Sequence, residues 1–138
     1  MPRYVFYDFV DADGVNQIER WLTSEVPSTH RNAVRSRLRA RIEAQQLKAT
    51  FSLPEFRDLH GQCDGLFEFR FMVKQVPYRP LACHGLRRGE VVILFGAKEH
   101  SDSFVPLNAC RQALARRELI FGVNGRRHLT LHDYTQSA

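Results

Sequence analysis

Apolar positions along this chain recur with a period that switches between two and nearly four, and each switch marks an element. Residues 4–9 (YVFYDF) are rich in β-branched and aromatic side chains and predict a first strand. Asp11 or Asp13 then caps a helix, since a carboxylate accepts from the free N–H groups of a first turn. In that helix Val15, Ile18, Trp21 and Leu22 recur at spacings of three and four and share one face. Pro27 opens a second helix, with Ser28 or Thr29 as alternative caps, that runs to about Leu47. Val34, Leu38 and Ile42 make its apolar stripe, and two antiparallel helices of this kind package one side of a sheet.

Between residues 51 and 65 the pattern loosens. Pro54 interrupts FSLPEFRDL, Phe56 and Leu59 turn inward, and HGQCDG (60–65) has the composition of a turn. Alternation is sharpest over residues 66–73, where Phe67, Phe69 and Phe71 face one way and Glu68 and Arg70 the other. Residues 76–84 form the next strand, assigned to an edge or a bulge because Pro77 and Pro80 remove two backbone donors. After the GLRRG turn (85–89), EVVILFGA (90–97) is continuously apolar and reads as central. No crossover helix separates these three segments, so hairpins and an antiparallel sheet follow.

A polar stretch (99–103) precedes Pro106, which opens a last helix reaching Ile120. Leu107, Cys110, Ala113, Leu114 and Arg117 lie at helical spacing in it. Residues 121–138 add a short strand at 128–131 or remain a loose tail. The expectation is one α+β domain spanning residues 1–138, an N-terminal strand and two helices packed on a curved antiparallel sheet, followed by a C-terminal helix that covers the face opposite an open cationic one.

Composition narrows the partners. The chain has 138 residues, 43% of them hydrophobic, enough for one core and too few for two ordinary domains. Twenty Lys and Arg against 15 Asp and Glu give a net charge of +5, which favours an anionic partner without naming it. Arg31, Arg35 and Arg39 flank one side of the second helix's stripe, and Arg37 and Arg41 the other. That row is either a solvated face whose stems cover apolar edges, or a ridge for a phosphate backbone or an acidic protein. Arg35 and Arg39, with Arg87 and Arg88 in the GLRRG turn, are the candidate backbone contacts. Three cysteines, Cys63, Cys83 and Cys110, form no regular framework, and an odd count fits a reducing cytoplasm. No signal-peptide pattern and no apolar run of about 18 residues is present, so no membrane partner is expected.

The strands deliver Arg70, Arg79 and Lys98 toward one surface, and cations that converge there suit phosphates. Metal-free RNA cleavage needs a base for the 2′-OH proton, cations for the phosphoryl oxygens and an acid for the leaving 5′-oxygen. Arg70, Arg79 and Lys98 supply the cations; His84 and His100 are the proton carriers; Glu68 is a third carrier or an orienter of the arginines. The plain alternative for Glu68 and Arg70 is a surface ion pair. His60, Cys63, Cys83 and His84 invite a zinc reading, but adjacent Cys83 and His84 face opposite ways in a strand and the familiar paired spacings are absent, so no metal or other cofactor is expected. Walker, HExxH and GxSxG motifs are absent.

The ordered set Phe56-x-x-Leu59, Gly65-Leu66-Phe67-Glu68-Phe69-Arg70, Tyr78-Arg79, and 91–98 followed by Pro106 and an Ala-rich helix resembles the RelE/HigB superfamily of toxin–antitoxin toxins. Within it, the phage-derived HigB-like branch favours a Gly-Leu-x-Glu-x-Arg strand. The likeness covers about residues 4–120, and His132-Asp133-Tyr134 resembles the Tyr/His-containing ends of some relatives. It implies a RelE/ParE-like α+β fold with a curved antiparallel sheet and a metal-independent mRNA endonuclease. Such an enzyme acts on the ribosome, leaves a 2′,3′-cyclic phosphate, and is inhibited by a cognate helix-turn-helix antitoxin. It implies that Arg70 and Arg79 face phosphate and that Lys98 is the first of a lysine pair. Here Glu99 and then His100 follow, where the family has its second lysine. The alternative is a non-catalytic relative, either a gyrase-targeting toxin or a phage-derived regulator.

Overall fold

In the computed structural model, which describes residues 3–132, the chain forms an α+β domain. A six-stranded sheet is ordered β10-β1-β7-β6-β3-β2, comprising β1 (Val5–Phe9), β2 (Phe56–Asp58), β3 (Phe67–Phe69), β6 (Leu81–His84), β7 (Glu90–Phe95) and β10 (Leu129–Leu131). A four-stranded sheet is ordered β4-β5-β8-β9, from β4 (Phe71–Val73), β5 (Val76–Tyr78), β8 (Lys98–His100) and β9 (Ser103–Val105). Every pairing is antiparallel except β1 with β7. All six residues of β7 are buried, the expected state of a continuously apolar strand with neighbours on both sides. The last strand is β10, so the 128–131 segment is a strand rather than loose tail; residues 133–138, Asp133 and Tyr134 among them, lie outside the described residues.

Alternation sorts side chains into two cores. Phe67, Phe69, Ala82, Val91 and Ile93 pack toward α1 (Gln17–Ser24) and α2 (Ser28–Gln45), where Ile18, Leu22, Val34, Leu38 and Ile42 are fully buried. Leu81, Cys83, Val92 and Leu94 pack on the other face, under Ala109, Ala113 and Ile120 of α3 (Ala109–Phe121). Two helices thus cover one face and the third covers the other.

Details of the termini differ from the expectation. Asn16, not Asp11 or Asp13, caps α1, its Oδ1 accepting from the N–H groups of Ile18 at 2.9 Å and Glu19 at 3.0 Å. Asp11 instead closes the preceding turn by accepting from Asp13 and Val15, and Val15 is left 41% exposed. Pro27 holds the start of α2 through its carbonyl, which accepts from His30 and Arg31. The last helix begins at Ala109, and Leu107 stands outside it, 84% exposed.

The largest departure concerns the two strands expected over 66–73 and 76–84. Each is cut in two, at Arg70 and at Arg79-Pro80, and β7 and β8 are separated by Gly96-Ala97. At these three places the chain passes between the six-stranded and the four-stranded sheet, so they form a seam. Pro80 contributes to the break because it has no N–H to continue the ladder. Gly96 has no alternative there: a Cβ on it would lie 2.0 Å from the Trp21 ring, which α1 presses onto the seam.

The cysteines also differ from expectation. Cys63 and Cys110 form a disulfide tying the 3-10 turn Gly61–Cys63 to α3. No periodicity announces it, since the two are 47 positions apart and on unlike elements. Cys83 is a buried thiol whose pKa is pushed up to about 12 by its burial, which removes it from thiolate chemistry. Among the described residues no helix is long and apolar enough to cross a membrane.

Candidate nucleic-acid interface

The seam gathers charge. Glu68 precedes it by two residues on β3 and shares a face with Leu81, its partner on β6. Arg70 and Arg79 sit at the breaks themselves and, by alternation, on the same side as Glu68. The Arg70 guanidinium is paired with the Glu68 carboxylate. Arg79 Nε lies 3.6 Å from Glu68 and 3.3 Å from Glu99, neither contact being directed as a hydrogen bond, while its NH1 donates to the Tyr78 carbonyl at 2.9 Å.

A further cation comes from α2. Arg41 donates through Nε and NH2 to the Arg70 carbonyl, at 3.1 and 3.0 Å, an oxygen with no ladder partner because the strand is broken there. Arg41, Arg70 and Arg79 thereby line one open groove of 440 Å³, whose other walls are Leu53, Pro54, Phe71 and Met72. Leu53 and Met72 are 63% and 52% exposed, so the groove offers apolar surface beside its guanidiniums.

Burial sets the electrostatics. Glu68 is 3% exposed, and desolvation raises its pKa above the usual carboxylate value even though Arg70 and Arg79 pull it down. Desolvation lowers that of Arg79, 7% exposed, with the Arg70 charge adding to the effect. Behind the groove, then, lies a buried carboxyl whose pKa burial raises, held against the Arg70 and Arg79 guanidiniums.

The other residues singled out in the sequence stand elsewhere. Lys98 lies opposite Tyr78 across β5 and β8, and Tyr78 faces the α1–α2 core, its hydroxyl 2.8 Å from His30 Nδ1. Lys98 and His100 therefore project to the side away from Glu99 and Arg79. His84 also lies on the α1–α2 side, its ring against Phe67 and Phe51 at 5.1 and 5.4 Å, and burial holds its pKa below the ordinary histidine value. It is five positions beyond Arg79 on an extended segment, roughly 15 Å away. The expected meeting of Arg70, Arg79 and Lys98 beside an imidazole does not occur, because one-residue alternation sends Lys98, His100 and His84 to the opposite face.

Of the expected backbone contacts, Arg35 is engaged with Glu19 at 2.7 Å. Arg39 lies half-buried on the flank of α2, and Arg87 and Arg88 are exposed in the β6–β7 turn, beyond His84 and away from the groove. The zinc reading loses Cys63 to its disulfide, and among the described residues no group of three His, Cys, Asp or Glu stands together as a metal site. His132 pairs with Asp8 at 2.7 Å, both buried, and Asn16 donates to the other oxygen of Asp8 at 3.0 Å.

Sequence reasoning placed Arg41 in the basic row without setting it apart, because nothing in that row marks which arginine reaches the seam. Glu99, which follows Lys98 in the sequence, stands 3.3 Å from Arg79 Nε and so supplies that guanidinium with a second acidic neighbour. Comparison with protein-family models, with curated proteins and with solved structures finds no match.

Proposed function

We propose that the protein is a RelE/HigB-like toxin of a type II toxin–antitoxin pair, acting in the cytoplasm as a ribosome-dependent, metal-independent mRNA endonuclease. The observation that carries this reading is the groove lined by Arg41, Arg70 and Arg79, from three separate segments, with the buried Glu68 carboxyl paired to Arg70 and beside Arg79 at its edge. Guanidiniums hold phosphoryl oxygens in bidentate fashion, and the apolar rim of Leu53 and Met72 suits an unstacked base. In this scheme Glu68 takes the proton of the 2′-OH, the 2′-oxygen forms its bond to phosphorus, and the bond to the 5′-oxygen breaks to leave a 2′,3′-cyclic phosphate. No imidazole among the described residues lines the groove. In this scheme the leaving 5′-oxygen takes its proton from a group on the ribosome. A helix-turn-helix antitoxin is the partner this reading requires. The Cys63–Cys110 bond weighs against the cytoplasmic part of it, since reducing compartments disfavour disulfides.

A second reading rests on a specific observation. Arg79 already has Glu68 and Glu99 as neighbours, and a charge so neutralised suits a binding protein that performs no chemistry. Inducible expression followed by mapping of RNA 5′ ends separates the two. The nuclease reading predicts new 5′ ends within translated messages, lost in Glu68→Gln. Growth arrest without new ends, kept in Glu68→Gln, establishes the binder instead.

A further inference from the structure

The outward face of α3 is self-complementary. Arg111, Leu114, Ala115 and Glu118 recur along it at helical spacing and, with Leu107 just ahead of the helix, border an open groove of 560 Å³, while Ala109, Ala113 and Ile120 turn inward. Of the large apolar residues exposed among the described residues, Leu107 borders this groove, and Leu119 and Phe121 belong to the same helix. A concentration of that kind marks an interaction surface, and its order along the chain identifies the occupant.

Arg111 and Glu118 stand symmetrically about the midpoint between Leu114 and Ala115. Neither makes an ion pair within the described residues. A second α3 laid antiparallel across a two-fold axis at that midpoint sets Arg111 of each copy against Glu118 of the other, and Leu114 against Ala115. The antiparallel arrangement also opposes the two helix dipoles favourably. A parallel, in-register pairing would instead set Arg111 against Arg111. A uniformly acidic or basic partner would match one end of the face and be repelled by the other.

We propose that this face is the site at which a second copy of the chain docks, forming a two-fold homodimer through α3. The contact is about one helix long and buries less than about 1,000 Å², so the dimer is weak and dissociates on dilution. The inference is independent of any activity at the arginine groove.

Sedimentation equilibrium over a concentration series tests it with a charge exchange. The wild-type chain is expected to pass from monomer to dimer as concentration rises. Arg111→Glu and Glu118→Arg, each placing like charges opposite one another twice, are expected to weaken association about tenfold or more. The double variant Arg111→Glu/Glu118→Arg is expected to recover the wild-type association. Circular dichroism melts, unchanged because both positions are exposed on the helix, separate loss of pairing from loss of folding. A wild-type chain that stays monomeric at every concentration overturns the proposal. So does a dimer indifferent to the single changes, or a double variant no better than either single one.

Discussion

Replacing Cys63 and Cys110 together by serine is expected to lower stability by about 4 kcal/mol at 25 °C, the chain-entropy value for a loop of this length. The bond spans 47 positions and joins two elements that otherwise meet only through side chains at the edge of the second core. Breaking it lets the unfolded chain explore conformations the cross-link forbids, while the folded state loses little contact. For a domain of this size the change corresponds to a fall in melting temperature of about 14 °C. Thermal denaturation of the double variant, and of the wild type with and without a thiol reductant, measures it. Both routes should give the same shift, because Cys83 is buried and takes no part. A melting temperature indifferent to both would mean that the two thiols are not bonded in solution.

Glu68→Ala is expected to cost about 3 kcal/mol, a large effect for a single charged residue. Surface ion pairs rarely reach such values, but the Glu68 and Arg79 side chains are only 4% and 8% exposed. Removing the carboxylate leaves the Arg79 charge buried beside Arg70, with Glu99 at 3.3 Å as its remaining acidic neighbour. The contrast that isolates this cause is the double variant Glu68→Leu/Arg79→Met, which removes both buried charges and should cost clearly less than Glu68→Ala alone. Urea denaturation of the three proteins gives the comparison. Equal losses in the single and double variants would show that side-chain packing at the seam, rather than an uncompensated charge, carries the effect.

These two expectations rest on features of unequal visibility in the sequence. The helices and the two faces of the main sheet were legible, because Val34, Leu38 and Ile42, and Phe67 and Phe69, carry unambiguous periods and all are buried. The seam was not. Strand alternation persists through Arg70, so nothing in FEFRFMV shows that the chain changes sheets there, and only Pro77 and Pro80 hinted at an irregularity in the next strand. That hidden break changed the candidate site. Arg70 and Arg79 were identified and do lie together, but Lys98 was grouped with them on proximity along the strands, whereas its register opposite Tyr78 sends it to the other face. Arg41 takes its place for a reason that is purely tertiary, the unpaired Arg70 carbonyl. The Cys63–Cys110 bond was illegible for a similar reason, since spacing alone does not reveal that a short turn packs against the last helix.

The central claim is that phosphate is met on the Glu68 side of the seam, by guanidiniums at the mouth of the Leu53–Met72 groove. Fluorescence anisotropy of a labelled single-stranded RNA, titrated with each variant at fixed ionic strength, tests it most directly. Arg41→Ala and Arg70→Ala should each weaken binding about tenfold and reduce its salt dependence, while Lys98→Ala, His100→Ala and His84→Ala leave it within about twofold. The reverse ranking, with the Lys98 face required and the arginines dispensable, would contradict the account.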